Sequence, residues 1–279
     1  MTAGGDSPLL DISGLRVAFP TRGWRRPPVE VLHGVDLAVP EGRTLGLVGE
    51  SGSGKSTIGR AVLGLVPVAA GSIRWRGQDV VGAGRAARRD LSSEIQVVFQ
   101  DPYTSLNPSM TIADILSEPL RVTGASRQDA ASRVRELLDQ IALPADAARR
   151  LPREFSGGQR QRIAIARALC RSPRLVVCDE PVSALDLSTQ ARVLDLFVEL
   201  QDRTGVSYLF ISHDLSVVRH ISHEVAVLYR GDVVEHGEAR QVTERPSHPY
   251  TKRLLMSAPV PDPVEQAQRR AARWALTVT

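Results

Sequence analysis

Gly49-Glu50-Ser51-Gly52-Ser53-Gly54-Lys55-Ser56-Thr57 follows the apolar run Thr44-Leu45-Gly46-Leu47-Val48. It leads into a stretch with Ile58, Ala61, Val62 and Leu65 at helical spacing. The run from Gly49 to Thr57 matches G-x-x-x-x-G-K-[ST] in full. A short, nearly continuous apolar run is what a buried parallel strand needs. Apolar residues at i, i+3, i+4 and i+7 make one face of a helix, which Gly64 and Pro67 are expected to end. Strand, glycine-rich turn and helix, in that order, are the structural context in which this motif acts as a phosphate loop.

The chemistry requires these residue types. Glycines let backbone amides point inward around phosphate oxygens. The helix starting near Lys55 adds its positive N-terminal end. Lys55 brings a point charge to β- and γ-phosphates, and the Ser56 hydroxyl is a ligand for Mg²⁺. A second apolar run, Leu175-Val176-Val177-Cys178, is followed directly by Asp179-Glu180. A carboxylate at that place faces the magnesium ion of a phosphate loop. Asp179 is therefore read as a Mg²⁺ residue, and Glu180 as the group that orients or deprotonates the attacking water.

Around these motifs the chain reads as alternating strands and helices, the pattern of an α/β protein with a parallel sheet. Ile95 to Phe99 and Tyr208-Leu209-Phe210-Ile211 are further buried strand candidates. Leu9 to Phe19, Val31 to Val39 and Ile73 to Gly77 read as short strands of an antiparallel layer, with a breaker-rich loop from Pro20 to Pro28. Tyr229-Arg230-Gly231-Asp232 is a hairpin turn between Val225–Leu228 and Val233-Val234. The segment from about 101 to 155 changes character. Ser126-Arg127-Gln128-Asp129 starts a helix whose stripe is Val134, Leu137, Leu138 and Ile141. It reads as a helical lobe inserted in the α/β domain.

Composition sets outer limits. The chain has 279 residues, 42% hydrophobic and 24% charged, enough for one large domain or two closely packed lobes. Aromatics make up only 4%, too few for extensive base stacking. The formal charge is +4, nearly all of the positive charge from arginine. Such an excess fits a membrane surface or nucleic acid, but a solvated Arg-rich surface accounts for it better. Cys170 and Cys178 lie in apolar runs and read as small buried thiols, with no disulfide or metal spacing. Met1 to Pro8 lacks the basic and apolar regions of a signal peptide. No apolar run approaches the roughly 20 residues that cross a bilayer, so work at a membrane requires a partner. The tail after Pro259 is expected to be partly disordered.

Phe155-Ser156-Gly157-Gly158-Gln159-Arg160-Gln161 resembles the signature motif of ABC ATPases, with Phe155 where leucine is common. Ser156 and Gln159 also spell a capping box, and the helix tip with two glycines is an anion site. The resemblance implies that Ser156, Gly157, Gly158 and Gln159 bind the γ-phosphate of ATP held by the opposite subunit. Other motifs follow in order. Gln100 resembles the Q-loop glutamine, which touches Mg²⁺ or the attacking water. Ser183-Ala184-Leu185-Asp186 resembles the D-loop at the dimer interface, and His213 the switch histidine at the γ-phosphate. Phe19, or Trp24 as its competitor, is the candidate for stacking on adenine.

The resemblance covers residues 9–258 as the ATPase domain, with the helical lobe at about 101–160. It implies a P-loop NTPase of the ABC ATPase type: a RecA-like core, an antiparallel β layer and an inserted helical lobe. The expected activity is ATP hydrolysis with Mg²⁺ at the interface of two ATPase subunits, identical or paralogous. It would drive integral-membrane permease subunits supplied by an extracytoplasmic solute-binding protein, and the chain would sit peripherally at the cytoplasmic face of the membrane.

Phe99 to Pro108, Ala184 to Gln190 and Ser247-His248-Pro249-Tyr250-Thr251 resemble the peptide and nickel importer branch, the last stretch marking a C-terminal extension within 240–279. Relatives often carry a cysteine group after that extension; this chain has none there, so no iron–sulfur site is expected. Peptide, nickel and other small solutes all stay open, because permease and binding protein choose the cargo. The competing class is a soluble ABC ATPase acting on nucleic acid or ribosomes. Members of that class typically carry two cores, a coiled-coil insertion or zinc cysteines. The chain has none of these, and no nucleic acid partner is expected.

Overall fold

The computed structural model describes residues 7–21 and 27–257. They fall into two compact units, one running to Gly82 and again from Leu209, the other from Ala83 to Tyr208. The first opens with β1 (Leu10–Phe19), β2 (Val29–Val39), β3 (Thr44–Val48), α1 (Lys55–Val62), β4 (Ala70–Trp75) and β5 (Gln78–Asp79). The second holds α2 (Arg85–Glu94), β6 (Ile95–Val98), α3 (Pro102–Ser105), α4 (Ile112–Val122), α5 (Arg127–Gln140), α6 (Gly157–Leu169), β7 (Leu175–Asp179) and α7 (Leu187–Thr204). Strand β8 (Ser207–Ser212) returns the chain to the first unit, which ends with α8 (Leu215–Ile221), β9 (Glu224–Tyr229), β10 (Asp232–Glu238), α9 (Ala239–Glu244) and α10 (Pro249–Ser257).

The antiparallel layer of the first unit has the order β2-β1-β4-β5. Leu10, Ile12, Leu15 and Val17 are all buried, yet Ile12 and Leu15 are three apart, against the two-residue period of a strand. A register shift between them absorbs the extra residue, as a β-bulge does. Gly14, at φ 58°, occupies it. The other sheet of this unit runs β10-β9-β3-β8, with β3 parallel to β9 and β10 antiparallel to it. All five residues of β3 are buried, as its unbroken apolar run requires. Arg230 and Gly231, both at positive φ, turn β9 into β10.

In the second unit β6 lies parallel to β7, with Ile95 level with Leu175 and Val98 with Cys178. Helix α5 buries Ala130, Val134, Leu137 and Leu138, and Ile141 closes the same stripe at its C-cap. Ser126 caps its start by accepting from the Asp129 amide. Cys170 and Cys178 are both buried and free. Burial pushes the Cys170 thiol up to about 12 and the Cys178 thiol well above its usual value, so both stay protonated and inert.

Several boundaries differ from the sequence reading, three of them for a clear local reason. Leu65 is not part of the apolar stripe of α1. The helix stops at Val62, Gly64 turns the chain at φ 68°, and Leu65 is 62% exposed. Arg76 and Gly77, read as strand, form the positive-φ turn between β4 and β5, a combination suited to a tight hairpin. Phe99 lies outside β6 and is exposed. The tail after Pro259 and the competitor Trp24 lie outside the described residues.

Strand β3 carries the phosphate loop, and α8 lies tightly against it. A Cβ at Gly46 would stand 2.0 Å from Val218 Cγ1 and 2.4 Å from Ser222 Oγ. Val218 is stiff at χ1 and buried, so it cannot swing aside. Gly46→Ala is expected to destabilise the protein by about 1–3 kcal/mol through overpacking. A urea unfolding midpoint unchanged from wild type would refute this account.

Candidate functional site

Gly49 to Gly54 form a tight turn between β3 and α1, and Lys55 to Thr57 open the helix. A Cβ at Gly49 would lie 2.1 Å from the Leu228 carbonyl oxygen, so no larger residue fits there. Gly54 caps α1 at φ 108°, a conformation that L side chains avoid, and no side chain caps that helix. The Lys55 side chain folds back under the turn. Only 4% exposed, it donates from Nζ to the carbonyls of Gly49 and Glu50, each at 2.8 Å. These two charge-assisted hydrogen bonds fix the direction of the ammonium within the turn.

Ser53 supplies a test of what the turn accepts. Its hydroxyl is buried and has no hydrogen-bond partner among the described residues. Its carbonyl accepts from the Gly231 amide at 2.9 Å, and its amide donates to the Glu50 carbonyl at 3.2 Å. Buried hydroxyls are nearly always satisfied. An unmet donor beside a buried ammonium in a glycine turn fits a polyphosphate. Ser51 and Gly52 are exposed, while Ser56 and Thr57 are half-buried.

The same unit carries His213 and Phe19. His213 is exposed and follows β8 directly. The next residue, Asp214, donates its amide to Ser212 Oγ and caps α8 by accepting from the Ser216 amide, which pins the backbone on either side of His213. Phe19 ends β1, paired with Val29, and is half-buried.

In the second unit the chemistry gathers at one end of a strand pair. Val98 of β6 is level with Cys178 of β7 in a parallel ladder. Gln100, two residues past β6, and Asp179-Glu180 at the end of β7 therefore leave the sheet at the same end, where α/β proteins place ligands. Glu180 adopts φ 50°, a left-handed conformation rare for a residue with a side chain. Its carbonyl accepts from the amide and the hydroxyl of Ser183. That turn holds a strain of about 1–3 kcal/mol, of a kind that clusters at functional sites.

The S-x-x-Q element is a complete capping box. The Gln159 amide donates to Ser156 Oγ at 3.3 Å, and the Ser156 amide to Gln159 Oε1 at 3.0 Å. The two glycines of α6 differ in use. A Cβ at Gly158 would meet Thr189 Cγ2 at 2.2 Å, so this glycine lets α6 approach α7. At Gly157 the nearest atoms, Tyr103 Oη and Leu185 Cδ2, stand at ordinary contact distance. Asp186 caps α7 by accepting from the Thr189 amide at 3.0 Å and from Ser188 Oγ at 2.7 Å. The hydroxyls of Ser188 and Thr189, with the Thr189 amide, hold its carboxyl well below the usual range.

With these geometries in place, the comparisons with known proteins are decisive. The family model for ABC transporters matches residues 32–183, and that for the oligopeptide/dipeptide transporter C-terminal region matches residues 234–275. The chain belongs to the ABC transporter family. It is 48% identical over 263 residues to the oligopeptide transport ATP-binding protein OppF of Salmonella typhimurium, spanning 91% of this chain and 79% of that protein. To the oligopeptide transport ATP-binding protein OppD of Mycobacterium tuberculosis it is 50% identical over 238 residues, covering 85% of this chain and 39% of the relative. Among solved structures it superposes on the dimeric, post-hydrolysis ATP-binding cassette MJ0796 bound to ADP and Pi, with a TM-score of 0.73 and 26% identity, over 83% of this chain and 99% of that one. The ABC cassette therefore has the P-loop NTPase fold expected of it and is an ATP-binding, ATP-hydrolysing protein. Among its described residues no helix is long and apolar enough to cross a membrane.

One residue at the loop of this ABC cassette escaped the sequence reading. Tyr250, in the Ser247–Thr251 stretch, places its hydroxyl 2.9 Å from the Glu50 amide. The two residues lie 200 positions apart, and no local spacing signals the contact.

The unpartnered hydroxyl yields a two-sided expectation. Ser53→Ala removes a buried donor that lacks a partner, so stability without nucleotide should stay level or rise by about 1 kcal/mol. Affinity for MgATP should fall. A variant that is destabilised yet binds MgATP as wild type does would contradict both halves; unfolding curves and calorimetry measure them.

Proposed function

We propose that this chain is one of two ATPase subunits that clasp MgATP between them at the cytoplasmic face of a membrane and drive a peptide importer. The observation that carries the site is the buried Lys55 ammonium inside a glycine turn, held by two carbonyls and beside an unmatched Ser53 hydroxyl. Lys55 draws in the β- and γ-phosphates, and Ser51, Gly52, Gly54 and Thr57 complete the cradle with Gly49, Glu50 and Ser53. Phe19 stacks on adenine. Ser56, Asp179 and Gln100 hold Mg²⁺, which supplies positive charge to the phosphate oxygens.

Glu180 takes the proton of the attacking water as its oxygen bonds to the γ-phosphorus and the bond to ADP breaks. His213 donates to the γ-phosphate. Ser156, Gly157, Gly158 and Gln159 of the second subunit close the site, and Asp186 stands at the subunit boundary. Each half-site is incomplete alone, so ATP joins the two subunits and hydrolysis releases them. Integral-membrane permease subunits convert that cycle into transport, with an extracytoplasmic solute-binding protein delivering cargo. The peptide assignment is supported by the name and 48% identity of the OppF relative and by the match of the C-terminal region.

Lys55→Ala is expected to lose MgATP binding in calorimetry; unchanged affinity would remove the phosphate-loop assignment. Glu180→Gln should lower turnover by about 10²-fold or more. With ATP and its ATPase partner it should persist as a stable dimer on size-exclusion chromatography. A monomer under those conditions counts against the two-subunit site. Recovery of the chain from native membranes without a permease would defeat the transport reading.

A further inference from the structure

The C-terminal segment is anchored residue by residue. Glu235 accepts from the amide and hydroxyl of Ser247, at 2.6 and 2.8 Å, and from the His248 amide at 3.2 Å. His248 Nδ1 in turn accepts from the Tyr250 amide at 3.2 Å. The Tyr250 ring, 2% exposed, packs on Tyr229 with centroids 4.2 Å apart. Its position is thus set from two sides before its hydroxyl meets the phosphate loop.

That hydroxyl accepts from the Glu50 amide at 2.9 Å. The same peptide group contributes the Gly49 carbonyl, which accepts from Lys55 Nζ at 2.8 Å. A peptide unit is planar, so the direction of its N–H dictates the direction of its C=O. Hydrogen bonds at its two ends polarise one another. Tyr250, one peptide plane and the Lys55 ammonium therefore form a single chain. The Ser53 carbonyl is held separately by Gly231, so Tyr250 acts on the Lys55 side of the turn.

We infer that Tyr250 is a positioning residue for ATP: through the Gly49–Glu50 peptide it presets the Lys55 ammonium, so the C-terminal segment sets nucleotide affinity. This rests on the phosphate-loop reading above and adds to it a structural reason for the Ser247-His248-Pro249-Tyr250 stretch. An undirected peptide would let the ammonium sample positions from which it does not meet the phosphates, and binding would bear the cost of ordering it.

Tyr250→Phe in the full chain removes one oxygen and leaves the ring packing in place. Its dissociation constant for MgATP should rise roughly tenfold, the effect of one lost hydrogen bond that leaves a part-buried amide undirected. Exchange of the Glu50 amide should accelerate about tenfold, with the amides of α10 keeping their rates. Equal MgATP affinities for variant and wild type overturn the inference and leave the phosphate-loop reading intact. Equal acceleration throughout α10 also overturns it, because the hydroxyl then serves only to dock the helix. Failure of the unmodified chain to bind MgATP removes the nucleotide reading and the inference together.

Discussion

A buried cation held under a glycine turn is the constraint on which the phosphate loop depends. Lys55 is almost fully buried, and its Nζ donates to the carbonyls of Gly49 and Glu50. Charge-assisted hydrogen bonds to carbonyls fix the direction of the ammonium. The fold tolerates it because the loop is anchored on every side. All five residues of β3 are buried before it, Ile58, Ala61 and Val62 are buried after it, and Gly231 and Tyr250 hold it from outside. The result is a preorganised positive site that spends little on rearrangement when a polyphosphate arrives.

The second unit meets a different requirement, presenting acceptors and a helix tip. Asp179 and Glu180 sit at the end of a buried strand, and the left-handed backbone at Glu180 turns the chain sharply there. The Ser156–Gln159 box satisfies the amides of both its residues, which fixes the geometry of the α6 tip. Gly158 brings α6 and α7 into contact at Thr189. This couples the signature helix to the helix that Asp186 caps. Packing in this unit thus ties together motifs read separately along the chain.

Much of the site was legible because its devices are local. The phosphate-loop spacing, the N-cap at Ser126, the capping box at Ser156 and the unbroken apolar runs of β3 and β7 depend on neighbours a few residues apart. The misreadings are also local. Leu65 keeps helical spacing with Ile58, but Gly64 ends the helix first, and Arg76 extends the alternation of Ile73-Arg74-Trp75 where the chain already turns. Helix α7 was missed although its signals are present, with Asp186 as cap, Val193, Leu196, Phe197 and Leu200 on one face, and Gly205 at its end.

By itself the sequence determined the kind of chemistry: a glycine turn with a lysine, a carboxylate pair after a buried strand, a capped helix tip with two glycines. Backbone geometry over a few residues suffices for these, and short-range propensity encodes it. Only the tertiary structure decided which distant groups complete them. Tyr250 reaches Glu50 across 200 positions, Thr189 fills the space beside Gly158, and Val218 the space beside Gly46. Such contacts follow from how buried faces pack, and no periodicity along the chain records them.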